Sequence, residues 1–179
     1  MTASEEIWYA LRTFYAQEQK VSRHLDRYAL TCFIPMCTVL KTVNGGGGVK
    51  KSKSKVPFVH NLIFIKKPES TDLLKKALDE CPFSTQMYCV TGTQTWVEIA
   101  SSEILELRII CDQSFSEPHF ITQQESELKV GHMVQVVHGP LAGIHGKLVR
   151  KNKKYYIVKS MTGLGVMVTV SRWCCVAVD

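Results

Sequence analysis

LKVGHMVQVVHGPLAGIHGKLVR, Leu128 to Arg150, decides how the chain is read. Met133, Val134, Val136 and Val137 make a short apolar strand that runs into His138-Gly139-Pro140. Gly143 and Gly146 follow, and a second short strand, Lys147 to Arg150, begins at once. Glycine admits positive φ and close backbone approach, and proline presets φ at a turn corner. The spacing therefore predicts two strands hinged on a tight, glycine-built loop.

Working outward, three more short strands are predicted at Tyr155–Val158, Val166–Val170 and Trp173–Val178. Five short strands in about fifty residues, joined by tight turns, are the pattern of a small barrel. Upstream, between Asp112 and Glu127, the apolar pattern dissolves into Gln, Ser, Glu and one Pro, which predicts a linker. The expected division is 1–112, linker 113–126, barrel 127–179.

The first half alternates differently. Ile7 to Tyr15 (IWYALRTFY) is aromatic-rich and reads as a strand. Phe14, Val21, Leu25 and Tyr28 then recur at helical spacing. Cys32 to Met36 is extended, because Pro35 lacks the amide that a helix or central ladder would use. Val39–Val43 and Val56–Phe58 flank the Gly45–Gly48 run and predict a strand pair with a long flexible loop. His60 to Ile65 is a compact apolar run, read as a buried strand. Ser70 or Thr71 caps a helix to about Glu80, with Leu73, Leu74, Ala77 and Leu78 inward. A strand at Met87–Val90 and a helix at Glu103–Cys111 complete an α+β sandwich on one mainly antiparallel sheet.

Bulk properties narrow the classes. Of 179 residues, 45% are hydrophobic and 21% charged, a globular composition. No apolar run reaches the roughly 18 residues a bilayer span needs, and MTASEEIWYA carries acids where a signal peptide needs a basic region. A cytoplasmic, monomeric protein without membrane contact is expected. The net charge of +6 is uneven: residues 1–112 carry 14 basic against 12 acidic side chains, residues 113–179 carry 8 against 4. A polyanion patch in the second half is compatible with that bias.

Seven cysteines show no CxxC pair, and six histidines fall into no zinc-protease spacing. Most of the histidines read as surface or loop residues. The glycine–lysine run from Gly45 to Lys55 lacks the GxxxxGK[ST] order of a phosphate loop. No nucleophile–base pair presents itself. The expectation is a non-enzymatic protein with no metal and no cofactor.

WYALRTFYAQEQKVSRHL, TCFIPM, HNLIFI and VEIASSEILEL stand in the order and spacing of one family, and the Leu128–Arg150 unit resembles its KOW motif. The KOW positions are Gly131, Val134, Val136, Gly139, Pro140, Gly143 and Gly146. The chain thus resembles the NusG family of transcription elongation factors, which join an N-terminal NGN domain through a linker to a KOW barrel. CFIPM and the compact first half resemble the operon-specific RfaH- and UpxY-type paralogues. The family's Pro-Gly-Tyr or Pro-Asn-Tyr is here His60-Asn61-Leu62, and Asp72-Leu73-Leu74-Lys75 lies near the place of the RfaH gate-loop motif.

The resemblance implies an antitermination factor that binds the clamp helices of RNA polymerase and suppresses pausing at chosen operons. UpxY-type relatives would make these surface, or capsular, polysaccharide operons. By position, the polymerase-binding patch is Arg12, Phe33, Pro35, Phe58, Leu62 and Phe64. From the pattern alone these apolar residues read as strand core; the resemblance turns Leu62 and Phe64 outward to a partner. Lys50, Lys51, Lys53 and Lys55 form an arm suited to non-template DNA phosphates, with a solvated hairpin tip as the plainer reading. Lys147, Arg150, Lys151, Lys153 and Lys154 suit nascent RNA or an acidic partner, and the barrel's implied partners are a ribosomal protein or a termination factor. The alternative is an RNA- or ribosome-binding KOW module without polymerase contact. The β-prone Val166, Val168, Val170, Val176 and Val178 argue for a constitutive barrel rather than one that refolds into helices.

Overall fold

The structure, a computed structural model, describes residues 6–45, 48–112, 119–121, 130–161 and 164–178. Gly46, Gly47, residues 113–118 and 122–129 of the expected linker and barrel start, and Thr162 and Gly163 lie outside the described residues. The chain divides into two compact units, Met1–Leu105 and Glu106–Asp179.

The first unit is built on strand β1 (Ile7–Thr13), helix α1 (Glu18–Asp26), β2 (Cys32–Phe33), a hairpin of β3 (Met36–Gly45) and β4 (Gly48–Pro57), then β5 (Leu62–Lys66), α2 (Thr71–Asp79), β6 (Thr85–Met87) and β7 (Glu98–Ala100). Helix α3 (Ser101–Asp112) starts in it. The main sheet runs β2-β5-β1-β6, with β7 also on β1, and every pair is antiparallel. The α+β class expected of the sequence is the one found.

Alternation along β1 and β5 splits the sheet into two faces. Tyr9, Leu11, Ile63 and Ile65 pack with Val21 and Leu25 of α1 and Leu74 and Ala77 of α2. Each such fully buried Leu or Ile contributes roughly 1.5–3 kcal/mol. Trp8, Ala10 and Arg12 take the other face beside their cross-strand partners, Ala10 opposite Phe64 and Arg12 opposite Leu62.

Several local expectations are corrected. The first strand stops at Thr13, because Tyr15 and Ala16 have φ of 58° and 52°. The apolar run from His60 begins as a turn, with Asn61 at φ 62°. Leu73, expected inward, is 40% exposed, one position off the stripe set by Leu74 and Ala77. The strand expected at Met87–Val90 lies earlier, at Thr85–Met87, and only an isolated Cys89–Trp96 bridge continues it. The β3–β4 ladder continues to a Gly45–Gly48 pair, so Lys50 to Lys55, expected beside a long loop, lie in a strand; Gly46 and Gly47 of that loop lie outside the described residues.

The second unit contains β8 (His119–Ile121), β9 (His132–Val136), β10 (His145–Lys151), β11 (Lys154–Met161), β12 (Leu164–Val170) and β13 (Cys175–Ala177). They form one antiparallel path, β13-β9-β10-β11-β12-β8. The five expected strands are β9 to β13, while β8 falls inside the span read as linker. Among the described residues no ladder closes this path into a barrel. Asn152 and Lys153, at φ 50° and 63°, give the two-residue β10–β11 turn the twist of a type I′ hairpin.

The KOW positions make a built loop. Val134 and Val136 are buried, and Gly143 N–H donates to the Val136 carbonyl at 2.8 Å. Gly143 holds φ at +94°, which a side chain resists. At Gly146 a Cβ would sit 2.7 Å from both the Val158 carbonyl oxygen and Ile157 Cγ2, so β10 crosses β11 there only without a side chain.

Candidate functional site

The corner where β1 turns toward α1 is organised by one residue. Asn61 accepts from Thr13 N–H through its backbone carbonyl at 3.0 Å and from Ala16 N–H through Oδ1 at 3.0 Å. Its own N–H donates to the carboxylate of Glu18, which is only 2% exposed in the first turn of α1. These three bonds hold the left-handed Tyr15-Ala16 step, and Tyr15 stands out of it 87% exposed. The sequence reading missed both Asn61 and Glu18; the one available signal was an asparagine, tolerant of positive φ, opening an apolar strand.

The residues carried over as polymerase-binding do gather. Arg12 pairs with Leu62, and Phe33 pairs with Phe64 and stacks on it with ring centroids 6.1 Å apart at 21°. Phe58 N–H donates to the Pro35 carbonyl at 2.7 Å, which sets both beside the base of the β3–β4 hairpin. Their exposure differs. Arg12 is exposed with its guanidinium 5.1 Å from the Phe14 ring, and Phe33 is half-buried. Pro35, Phe58, Leu62 and Phe64 are buried.

The lysine run alternates. Lys51, Lys53 and Lys55 occupy one set of register positions on β4 and Lys50 the other, with Lys53 and Lys55 exposed. In the second unit Arg150, Lys151, Lys153 and Lys154 meet at the β10–β11 turn, where Lys151 pairs with Lys154 and Arg150 lies 5.6 Å from the Tyr155 ring. Lys147, four residues back along β10, is half-buried and stands apart from them.

A cavity of about 420 Å³ opens between the start of α2 and the segment before β7. Tyr9 and Trp96 meet edge to face in its wall at 5.2 Å. Lys67 donates to Glu98 at 2.7 Å and lies 5.9 Å from the Tyr9 ring; the Glu98 hydrogen bond raises the Lys67 pKa.

His24 departs from the surface role expected of the histidines: it is buried, with Nε2 2.8 Å from the Ala77 carbonyl. Burial pushes the Cys32 thiol up to about 12, with the charge of Asp26 adding, so it stays protonated near neutrality. Among the described residues no group of three His, Cys, Asp or Glu is placed to hold a metal ion. None of the described helices is long and apolar enough to cross a membrane.

A family model described as "Transcription termination factor nusG" matches residues 6–108, more than half of the chain, from β1 into α3. No curated protein matches it. Among solved structures, the crystal structure of the MjSpt4:Spt5 complex, conformation A, is similar over 96% of this chain and 98% of that one. The identity is 14% and the TM-score 0.29, too low to carry an argument.

Proposed function

The chain belongs to the NusG family of transcription factors, and from that premise we propose that it is a non-enzymatic, operon-specific antitermination factor. Its first unit binds the clamp helices of RNA polymerase and biases the clamp toward its closed state by occupancy. The observation that carries this reading is the register on the sheet face opposite α1 and α2, where Arg12, Leu62, Phe64 and Phe33 are neighbours. Arg and aromatic side chains are the usual anchors of protein interfaces. Exposed Arg12 and half-exposed Phe33 make the first contact, and buried Leu62 and Phe64 back them.

The β4 lysines, ordered by the ladder with β3, reach DNA phosphates of the transcription bubble without reading sequence. The second unit acts as the KOW module that meets a ribosomal protein or a termination factor. The served operons are those for surface polysaccharides, and the protein works where polymerase works, in the cytoplasm.

Transcription in vitro across a terminator tests this: added protein raises readthrough on the target operon's template, and unchanged termination contradicts it. One observation favours the second reading, an RNA- or ribosome-binding module. Arg150, Lys151, Lys153 and Lys154 crowd one hairpin turn, a phosphate-binding arrangement. Salt-dependent RNA binding in a protein that never retains polymerase would put that reading first.

A further inference from the structure

Helix α3 is claimed from two sides. The family model runs to residue 108, while the second compact unit begins at Glu106, so residues 106–108 belong to both spans. The helix itself runs unbroken through that overlap, from Ser101 to Asp112. Glu106 is the point at which its rear half is held in the second unit. Its carboxylate oxygen Oε2 lies against the ammonium of Lys159 on β11, and Oε1 is 3.5 Å from His145 Nδ1 on β10. The Glu106 and Lys159 side chains are only 13% and 15% exposed. The first unit's ion pairs at Lys66, Lys67, Lys75 and Lys76, by contrast, leave both side chains 38% exposed or more.

We propose that Glu106 is a latch that fastens the rear half of α3 to the β10–β11 ladder. Closed, it makes residues 106–112 part of the second unit. Open, it returns α3 whole to the first unit and leaves the strands from β8 onward as a separate module. A buried ion pair stabilises no more than a well-packed apolar contact, but it forms in one geometry, and losing either partner strands the other charge. Such a contact is set or released as a whole, which an apolar seam is not. The anchor points suit this use. Lys159 stands opposite Val166 and His145 opposite Gln135 in their ladders, so neighbouring strands hold both partners in place. A hollow of about 180 Å³, with Met133 and Val158 in its wall, opens beside them and leaves the Lys159 stem room to turn when Glu106 departs. The reading of the second unit as a partner-binding module enters only as the use of the open state, in which a module released from the helix meets its partner.

The test reads the free full chain, so a failure of polymerase or partner binding leaves it intact. Amide hydrogen exchange is followed by NMR in the wild type, in Glu106→Gln, and in a chain with the pair reversed, Glu106→Lys with Lys159→Glu. Glutamine keeps the helix propensity of glutamate, so a change reports the lost ion pair. Glu106→Gln speeds exchange at Leu107, Ile110 and Cys111 about tenfold, well within the cost of breaking a buried pair. Val21 and Leu25 in α1 keep their wild-type rates. Ile157 and Val168 keep theirs too, because the open second unit stays folded without the helix. Reversing the pair restores α3 protection to within about threefold of wild type. Unchanged α3 exchange in Glu106→Gln, or a reversed pair that protects no better than the single variant, overturns the proposal. So does faster exchange at Ile157 and Val168 alongside α3, which would make Glu106 a mere support of the fold. Should Glu106→Gln fail to fold, the reversed pair decides alone: a folded chain with α3 protected supports the latch, and an unfolded or unprotected one overturns it.

Discussion

Glu18 and Asn61, 43 residues apart in sequence, are bonded to each other: the backbone N–H of half-buried Asn61 donates to the carboxylate of buried Glu18. The pair ties the start of α1 to the start of β5 and so fixes the turn that presents Tyr15. Glu18→Ala takes the acceptor from a partly buried donor, which costs about 1 kcal/mol. Urea unfolding should show a loss of that size, and Glu18→Gln, which keeps an acceptor, should recover most of it. Equal losses for both variants would mean that the bond contributes little.

Gly146 tests the β10–β11 crossing. Alanine there drives a methyl against the Val158 carbonyl and Ile157 Cγ2. Overpacking of this kind costs about 1–3 kcal/mol. The thermal midpoint of Gly146→Ala should fall clearly below that of a surface alanine variant such as Lys151→Ala. Matching midpoints would contradict the close approach.

Cys32 makes stability depend on alkaline pH. Its thiol is raised from 9.0 to about 12, chiefly by burial, so the folded state favours the neutral form. That contribution is complete below about pH 9 and is lost as pH rises toward 12, because the unfolded thiol ionises first. Cys37 and Cys175 are raised in the same direction, also by burial. Denaturation midpoints should therefore fall above pH 9, and Cys32→Ala should make that fall shallower without removing it. A midpoint that rises with pH in this window would contradict the assignment.

Much of this architecture is legible in the sequence, for physical reasons that can be named. The run Leu62 to Ile65 is buried throughout and reads as a strand at sight. The helical stripe of Val21 and Leu25 is equally plain. Only the Val56-Pro57 end of strand β4 was read, because GVKKSKSK mixes lysine with serine, neither apolar nor β-prone, and its ten-pair ladder with β3 orders it. The pattern had also set Leu73 inward with Leu74, but Leu73 lies just outside the stripe that Leu74, Ala77 and Leu78 turn to the core. Of the positions carried over from the family, Arg12, Phe33, Leu62 and Phe64 share one sheet face, as strand alternation and pairing require. How far each reaches solvent was not legible, because burial depends on what covers the sheet. The Tyr9–Trp96 cavity joins residues from three separate elements, and no local pattern announces it.

The central claim rests on the Arg12 face, and one measurement reaches it most directly: retention of RNA polymerase by the immobilised full chain and by its Arg12→Glu variant. Arg12 is exposed and its charge reversal leaves the core untouched, so lost binding would report the surface and not the fold. The account predicts polymerase on the wild-type chain and at least a tenfold weaker interaction for the variant, about 1.4 kcal/mol or more at an interface anchor. Equal retention by both chains would place the contact elsewhere, and retention by neither would contradict the polymerase-binding role itself.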